Sequence, residues 1–342
     1  MSSPEAPEPE AGENPTTGPT LMKVVRHESY GPMEVLRIQE VAKPTPQADE
    51  VLVRVRAAGL HVGDCFGVRG SPFLMRMMTG LFRPKRGIPG YDVAGTVEAT
   101  GPDVTRFGPG DEVFGVCDGA CAEYVCAAQD KLAHKPAGLD MIRAAALPTS
   151  GLAALHALRD VGKVQAGQKA LINGASGGVG TFAVQIAHAL GAQVTAVCGP
   201  DNVELVQSLG ADRVIDYTHE DFTRGEDRYD LVFDNIENRS LSECRRILTP
   251  KGTLILNSGT GARGLGLLVR IFKPLLLSPF VRHKLRRYLS VPNREDLIVL
   301  TGYIQEGKLE PVLDRTWPLE ETAAALAHIE TGHARGKVVV TL

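Results

Sequence analysis

A glycine-rich turn between an apolar run and a helical pattern is the feature that most constrains the fold of this 342-residue chain. Residues 170–180 read Ala-Leu-Ile-Asn-Gly-Ala-Ser-Gly-Gly-Val-Gly, and apolar residues at helical spacing follow up to a closing Gly191. This order predicts a strand, a tight turn and a helix. Glycines let the backbone approach a pyrophosphate, and the first amides of the helix donate to it. The spacing is G-x-x-G-x-x-G rather than G-x-G-x-x-G, so the turn alone is weak support.

The elements predicted after the turn alternate regularly between strand and helix. Strands are expected at residues 193–198, 213–217, 229–235 and 252–257, with helices at about 201–209 and 240–248. A βαβαβ order of this kind is one mononucleotide-binding half of a doubly wound parallel sheet. Motif and context together predict an α/β fold with a Rossmann sheet that binds a dinucleotide. An ordinary α/β turn without a ligand is the alternative.

The regions on both sides of this sheet are predicted to contain many short strands. On the N-terminal side, strands are expected at residues 23–26, 35–38, 50–57, 95–100 and 111–114, and a helix at 147–160 leads into the sheet. Beyond the sheet, the pattern predicts helices near 294–306 and 319–331 and strands at 312–314 and 337–341. The last strand is expected to return to the N-terminal β-rich unit, because the nucleotide-binding sheet is already complete.

Composition argues against several classes of protein. The net charge of −3 shows no basic excess, so binding to nucleic acid is not expected. No secretory signal and no apolar run of about 18 residues is visible, so a cytoplasmic protein is expected. The six cysteines form no C-x-x-C pair, which suits a reduced compartment. Residues 1–20, rich in Pro and Glu, are expected to be a disordered tail.

Several motifs in a fixed order resemble those of the medium-chain dehydrogenase/reductase superfamily. They are Gly-Tyr-Asp-Val-Ala-Gly at 90–95, Gly-Asp-Glu-Val-Phe-Gly at 110–115, Ala-Glu-Tyr-Val at 122–125, Leu-Pro-Thr-Ser-Gly-Leu at 147–152, the glycine turn, and Ala-Arg-Gly-Lys-Val-Val-Val at 334–340. The resemblance covers about residues 22–342 and is strongest to the zinc-independent quinone oxidoreductases and enoyl reductases. It implies a β-rich GroES-like catalytic domain at 21–145 and 291–342, a Rossmann NAD(P)-binding domain at 146–290, and a homodimer.

The positions that bind the catalytic zinc in related alcohol dehydrogenases carry other residues here. A cysteine of those enzymes is replaced by His61 and a histidine by Tyr91, and tyrosine is a poor ligand for zinc. The four close cysteines of a structural zinc lobe are also missing, since the cysteines near that place have a different spacing. A metal pair of His61 and Asp92 lacks a convincing third ligand, so no metal is expected.

Without a zinc Lewis acid, the resemblance implies hydride transfer from a reduced nicotinamide to a quinone or to an alkene conjugated with a carbonyl. Negative charge then builds on the carbonyl oxygen, where a positioned donor would stabilise the enolate. His61, where quinone reductases of this type usually have asparagine, and Tyr91 are the candidate catalytic donors. A structural histidine and an aromatic wall are the alternatives. Asp64 is expected to be a structural partner of a nearby cation.

The cofactor-binding residues are predicted in the glycine turn and near the carboxyl ends of the strands. They are Thr149, Asn173, Gly174, Ser176, Gly177, Gly178, Val179, Gly180, Cys198, Gly199, Asn202, Tyr217, Asn235, Ile236, Ser258 and Gly259. NAD-specific sites place an acid after the second strand. That strand ends Val-Cys-Gly-Pro here, which leaves room for a 2′-phosphate and favours NADP over NAD. Asp201 would repel a phosphate unless it caps the following helix, so both cofactors stay open.

Residues 265–289 are the least typical stretch, since they combine apolar and basic side chains with Pro274 and Pro279. Short helices packed on the sheet or in a dimer contact are expected. A lid over a lipophilic substrate is the alternative, and membrane contact is not expected. The overall prediction is a zinc-independent NAD(P)H-dependent oxidoreductase that reduces a small quinone or α,β-unsaturated carbonyl. A ketone reductase or alcohol dehydrogenase and a non-catalytic nicotinamide-binding sensor or scaffold stay open.

Overall fold

The computed structural model describes residues 20–71, 73–257, 274, 276–278 and 281–342. The predicted tail lies outside these ranges except for its last residue, and so do residues 265–273, 275, 279 and 280 of the stretch at 265–289. The strands are β1 (Leu21–Arg26), β2 (Arg37–Ala42), β3 (Glu50–Leu60), β4 (Asp92–Thr100), β5 (Glu112–Val116), β6 (Tyr124–Ala128), β7 (Leu132–His134), β8 (Lys169–Asn173), β9 (Gln193–Cys198), β10 (Arg213–Asp216), β11 (Tyr229–Asp234), β12 (Leu248–Leu256), β13 (Lys284–Arg287), β14 (Leu313–Pro318) and β15 (Lys337–Thr341).

The described α-helices are mostly short. They are α1 (Val62–Arg69), α2 (Leu74–Thr79), α3 (Met141–Ala146), α4 (Pro148–Leu155), α5 (Gly178–Ala189), α6 (Val203–Ser208), α7 (Leu241–Arg246), α8 (Arg294–Gln305) and α9 (Thr322–Glu330). A π-helical segment at His156–Val161 continues α4, so the helix predicted at 147–160 is present but changes its hydrogen-bond pattern halfway.

A six-stranded parallel sheet forms the middle of the molecule. Its strand order is β10-β9-β8-β11-β12-β13, which is the 3-2-1-4-5-6 order of a doubly wound nucleotide-binding sheet. The apolar runs that predicted these strands are buried on both faces, and Ile172 and Phe233 sit opposite each other with no exposed surface. The predicted Rossmann sheet is therefore confirmed. Its order reverses between β8 and β11, the place where such sheets bind ligands.

A second, mostly antiparallel sheet contains strands from both ends of the chain. Its order is β14-β15-β3-β4-β5-β7, and β6 pairs with the outer part of β3. The last strand, β15, lies antiparallel to β3, with Val339 opposite Gly59. This confirms that the chain returns to the β-rich unit at its C-terminal end. The residue ranges predicted for the two domains stay a prediction.

The two sheets meet at the glycine turn. Gly177 and Gly336 form an isolated parallel bridge, and the amide of Gly336 donates to the carbonyl of Ser176 at 2.8 Å. A Cβ added to Gly59 would lie 2.1 Å from the carbonyl oxygen of Ala145, so α3 packs directly on β3. The turn is thus fixed by backbone contacts between two distant parts of the sequence.

Two predictions differ most from the structure. The strand predicted at 35–38 is wrong in its first half, because Met33–Val35 form a 3-10 turn after Pro32 and the strand begins at Arg37. The helices predicted within 265–289 are wrong for Lys284–Arg287, which form the edge strand β13. In β13, fully buried Leu285 stands between exposed Lys284 and Arg286, the alternation of a strand with one buried face.

Candidate active site

The glycine turn after β8 combines a left-handed backbone, a close approach and one position with room for a side-chain atom. Gly174 has a φ of +77°, which favours glycine. A Cβ on Gly180 would lie 2.0 Å from the carbonyl oxygen of Gly174. The helix can therefore come this close to the turn only because residue 180 is a glycine. At Gly177 the nearest atom to an added Cβ is 3.6 Å away. Gly174 and Gly180 therefore shape the turn, and Gly177 leaves room beside it for a ligand.

The helix that follows the turn starts without a side-chain cap. Gly177 is the N-cap residue of α5 and offers no side chain to the first amides of the helix. Those amides and the positive end of the helix dipole suit an anion. The predicted residues Gly178 and Val179 begin the helix, Ser176 comes directly before its N-cap, and all three are half-buried. The local geometry fits the pyrophosphate of a dinucleotide.

Lys337 is a buried residue beside the turn that the sequence reasoning missed. Its Nζ atom donates to Asp92 Oδ2 at 3.2 Å and to Ser150 Oγ at 3.1 Å, and the side chain is 1% exposed. A Cβ on Gly178 would lie 3.3 Å from Lys337 Cδ. The sequence did contain a signal for this residue, because Lys337 begins a run of valines in a predicted strand. A lysine buried in such a strand needs a partner for its charge.

Asp92 connects this lysine to the start of α4. Its Oδ1 atom accepts hydrogen bonds from the Thr149 amide at 2.9 Å and from the Thr149 hydroxyl. Thr149, predicted to contact the cofactor, is therefore half-buried and holds Asp92 instead of standing free. Both carboxylate oxygens of Asp92 are occupied, and its side chain has no exposed surface.

The carboxyl ends of β8 and β11 bring together polar side chains at the reversal of strand order. Asn173 Nδ2 donates to Asp234 Oδ1 at 2.8 Å, and Asn235 Nδ2 donates to the Asn173 carbonyl at 3.2 Å. Ile236 stands beside the turn, since its Cδ1 would be 2.8 Å from a Cβ on Gly174. The residues predicted to lie by the nicotinamide ribose are thus next to the glycine turn. Ser258 and Gly259 lie outside the described residues.

The end of β9 forms the side of the site predicted for the adenosine. Burial and the neighbouring Asp216 carboxylate raise the pKa of the Cys198 thiol to about 11. The Tyr217 hydroxyl would be 3.1 Å from a Cβ on Gly199, and Tyr217 is 52% exposed. Asn202 Oδ1 is buried without a hydrogen-bond partner in the described part of the chain.

The interpretation of Asp201 as a helix cap is wrong. Asp201 lies within a 3-10 turn, Pro200–Asn202, and is exposed. The N-cap position of α6 belongs to Asn202, whose side chain forms no capping hydrogen bond.

His61 is the N-cap residue of α1, and its ring is fixed by the backbone. The Gly63 amide donates to His61 Nδ1 at 2.9 Å, and a Cβ on Gly63 would lie 2.6 Å from ring atom Cε1. Because Nδ1 accepts this bond, the neutral ring carries its proton on Nε2. The Nε2 atom is shielded from solvent and has no partner among the described residues. His61 is therefore structural at one nitrogen and an available donor at the other.

Tyr91 stacks on this histidine. The two ring centroids are 5.3 Å apart with an interplanar angle of 20°. Burial, together with the carboxylates of Asp64 and Asp118, raises the pKa of Tyr91 to about 12. The phenol therefore keeps its proton at neutral pH and can donate a hydrogen bond. The structure brings together the two predicted catalytic residues, 30 positions apart in the sequence.

Asp64 holds the backbone next to both of these residues. It is 2% exposed, and its Oδ2 atom accepts from the His61 amide at 2.9 Å while Oδ1 accepts from the Gly90 amide at 2.7 Å. The structure places two backbone amides there instead of a lysine or arginine. Asp64 thus ties the start of α1 to the residue before Tyr91.

A cleft opens in front of Tyr91 on the β-rich side. Its volume is about 210 Å³, and its lining includes His27, Asp64, Lys85, Arg86, Tyr91 and Asp118. Val68, Ile88 and Pro89 add an apolar wall. An apolar wall with an aromatic ring and polar groups is typical of a small-molecule site.

The donor atoms near Tyr91 do not fit a zinc ion. Among the described residues, only Nε2 of His61 is free, since Gly63 donates to Nδ1, and both oxygens of Asp92 accept hydrogen bonds from Thr149 and Lys337. Within the described ranges, no group of three or more His, Cys, Asp or Glu side chains is arranged to hold a metal.

Comparison with known proteins identifies the family. The model of the alcohol dehydrogenase GroES-like domain matches residues 47–137, and that of the zinc-binding dehydrogenase matches residues 209–340. The chain is 34% identical to the mitochondrial NAD(P)H oxidoreductase RTN4IP1 of Mus musculus, with 94% of this chain and 90% of that protein covered. It is 32% identical to the chloroplastic NADPH-dependent alkenal/one oxidoreductase of Arabidopsis thaliana, over 94% and 80% of the two chains.

Solved structures agree with this assignment. The quinone oxidoreductase of Coxiella burnetii superposes with a TM-score of 0.84 at 30% identity, covering 94% of this chain and all of that chain. The fold and site described above define an oxidoreductase with a GroES-like and a Rossmann unit. The chain belongs to the medium-chain dehydrogenase/reductase superfamily, in its quinone oxidoreductase-like branch. The predicted family and fold class are confirmed.

Proposed function

We propose that this chain is an NAD(P)H-dependent reductase of quinones or of alkenes conjugated with a carbonyl. One observation carries the proposal. The Nε2–H of His61 is a buried donor without a partner in the described part of the chain, and it lies beside Tyr91, which lines the cleft. Two donors in such a place suit an oxygen on which negative charge develops. The Arabidopsis relative is named for alkenals and enones and the solved structure for quinones, which are the same class of substrates.

The donors act on the oxygen of the substrate. When bound, the nicotinamide cofactor supplies a hydride to the carbon β to the carbonyl. As negative charge builds on the carbonyl oxygen, His61 Nε2–H and the Tyr91 hydroxyl donate hydrogen bonds to it. A proton from water then completes the addition of a hydride and a proton, and His61 keeps its Nε2 proton because the Gly63 amide holds Nδ1 as an acceptor. Tyr91, with its raised pKa, serves as a hydrogen-bond donor that keeps its proton.

Lys337 and Asp92 set the geometry between the two sides of the site. The lysine lies beside Gly178 of the glycine turn, and the aspartate follows Tyr91 in the chain and holds the start of α4. We place both as positioning residues. The residues that would hold the cofactor are the turn glycines with Ser176 and Val179, together with Asn235 and Ile236 on one side and Gly199 and Tyr217 on the other.

We favour NADPH over NADH as the cofactor. The end of β9 is Cys-Gly-Pro, without an acid to bind the ribose hydroxyls. Asp201, the nearest carboxylate in sequence, is exposed. Tyr217, which is 52% exposed, and the Asn202 Oδ1 atom, which has no hydrogen-bond partner among the described residues, supply polar groups beside that space.

We further propose that the enzyme works without zinc, in the cytoplasm and as a homodimer. Both carboxylate oxygens of Asp92 accept hydrogen bonds, which supports zinc independence because a metal ion at His61 Nε2 would lack this second ligand. Location and dimerisation rest on the sequence alone. Metal analysis of the purified protein and its molar mass in solution test the first and last of these points.

The decisive test is a panel of acceptors. Protein freed of metal by a chelator is mixed with NADPH or NADH, and oxidation of the cofactor is followed with quinones, enones and simple ketones. We expect turnover with quinones or enones, and higher kcat/KM with NADPH. Turnover confined to simple ketones would make the protein a carbonyl reductase. Binding of NADPH with no turnover on any acceptor would favour the sensor or scaffold.

A further inference from the structure

A surface beside the cleft exposes an unusual number of large apolar side chains. Phe73, Met77, Leu81 and Phe82 are 64%, 68%, 46% and 86% exposed. The loop after α2 is held against the end of that helix, since the Lys85 amide donates to the Thr79 carbonyl at 2.8 Å. We call residues 73–86 the docking patch. Exposed apolar clusters of this kind mark interaction sites in otherwise soluble folds.

The charged residues of the segment that contains the docking patch are all basic. Residues 65–91 contain no Asp or Glu and five basic residues, which are Arg69, Arg76, Arg83, Lys85 and Arg86. The whole chain has a net charge of −3, so this segment carries +5 and the remainder −8. Arg69 pairs with Glu330, and Arg86 lies 3.9 Å from Asp118. The exposed Arg83 and Lys85 form no ion pair in the ranges that the structure describes.

We propose that the docking patch binds the surface of a bilayer that contains anionic lipids. Apolar and aromatic side chains enter the boundary of headgroups and acyl chains, while basic side chains bind the lipid phosphates. A second copy of the chain is a poorer occupant, because two docking patches facing each other would bring the same positive charges together. Binding would be peripheral, since the described helices include none long and apolar enough to cross a membrane.

The docking patch shares residues with the cleft. Thr79, Pro84, Lys85 and Arg86 line the cleft in front of Tyr91 and also belong to the docking patch. A chain bound to a bilayer through this surface would hold the cleft next to the lipid, where lipophilic quinones dissolve. This consequence for substrate entry rests on the proposed function, whereas the binding itself does not.

Co-sedimentation with vesicles tests the binding. The full chain with NADPH is mixed at low salt with vesicles of phosphatidylcholine, alone or with phosphatidylglycerol. We expect binding to the mixed vesicles about tenfold tighter than to the neutral ones, and weakening by salt. Arg83→Glu and the double change Phe73→Ser, Phe82→Ser should each weaken binding about tenfold. Two matched controls should leave it unchanged: Arg106→Glu, an exposed arginine elsewhere, and Leu289→Ser, which is as exposed as Phe82 at 86%.

Three outcomes would overturn the proposal. The first is that the unchanged protein does not sediment with anionic vesicles. The second is that the controls lose as much binding as the variants of the docking patch. The third is that those variants alter the molar mass in solution and leave vesicle binding intact, which would identify the surface as a contact between copies. Turnover of a water-soluble enone is measured in parallel. Vesicle binding without turnover by any variant or the parent would reject the proposed function and leave the docking patch in place.

Discussion

The cofactor side of the candidate site is built from backbone, whereas the substrate side is built from side chains. Gly174, Gly177 and Gly180 lie within seven residues and shape a turn that any atom beyond hydrogen would disturb at two of the three positions. His61 and Tyr91 come from separate elements, and Asp64 holds them through backbone amides. The first side is fixed by the fold. The second can change its chemistry by one substitution without changing the fold.

The largest effect on stability is expected at Gly180, where the glycine turn has no room for a side chain. Gly180→Ala would place a Cβ 2.0 Å from the Gly174 carbonyl oxygen, so the helix must shift. We expect the free energy of unfolding to fall by about 4 kcal/mol, measured by urea unfolding.

Gly177→Ala is the matched control, because its Cβ would make only an ordinary contact of 3.6 Å with the Gly174 carbonyl oxygen. It should change stability by less than about 1 kcal/mol and raise the Kd for NADPH about tenfold, since the ligand needs the space beside Gly177. Equal loss of stability in both variants would mean that the turn has a purely structural role.

Breaking the connection between the two sides should have the next largest effect. Lys337→Met leaves the fully buried Asp92 without its cation, and stability should fall by about 3 kcal/mol. The double variant Asp92→Asn, Lys337→Met removes both charges and should recover part of that loss. A double variant as unstable as the single one would show that shape rather than charge sets the cost.

These contacts mark the limit of what the sequence reveals. Strands Gln193–Cys198 and Lys337–Thr341 match their predictions to the residue, because local patterns decide them. The Lys337–Asp92 pair spans 245 positions, and no local pattern indicates which buried acid meets which buried lysine. The left-handed backbone of Glu237, with a φ of +56°, could not be predicted either. It is set by the turn after β11, in which the Glu237 amide donates to Asp234 Oδ1. The role of His61 as a helix cap likewise depends on where α1 begins.

Two substitutions at His61 distinguish the structural role of Nδ1 from the proposed donor role of Nε2. His61→Ala removes both the cap and the Nε2 donor, so stability should fall by about 1 kcal/mol and kcat/KM on a soluble enone by about 100-fold. His61→Asn keeps a capping side chain and should keep stability, with a loss of about tenfold in kcat/KM. Full turnover in His61→Ala would reduce this residue to its structural role.

The smallest effect is expected at Tyr91, where the alternative is a plain aromatic wall. Tyr91→Phe keeps the ring stacked on His61 and removes only the hydroxyl, so kcat/KM should fall about fivefold. Burial raises the pKa of this phenol to about 12, which means that the donating form persists below that pH and is lost above it. The ratio of parent to variant kcat/KM should therefore stay constant from about pH 6 to pH 10. A ratio that falls toward one near pH 10 would place the hydroxyl in solvent, and a ratio of one throughout would leave Tyr91 as an aromatic wall beside His61.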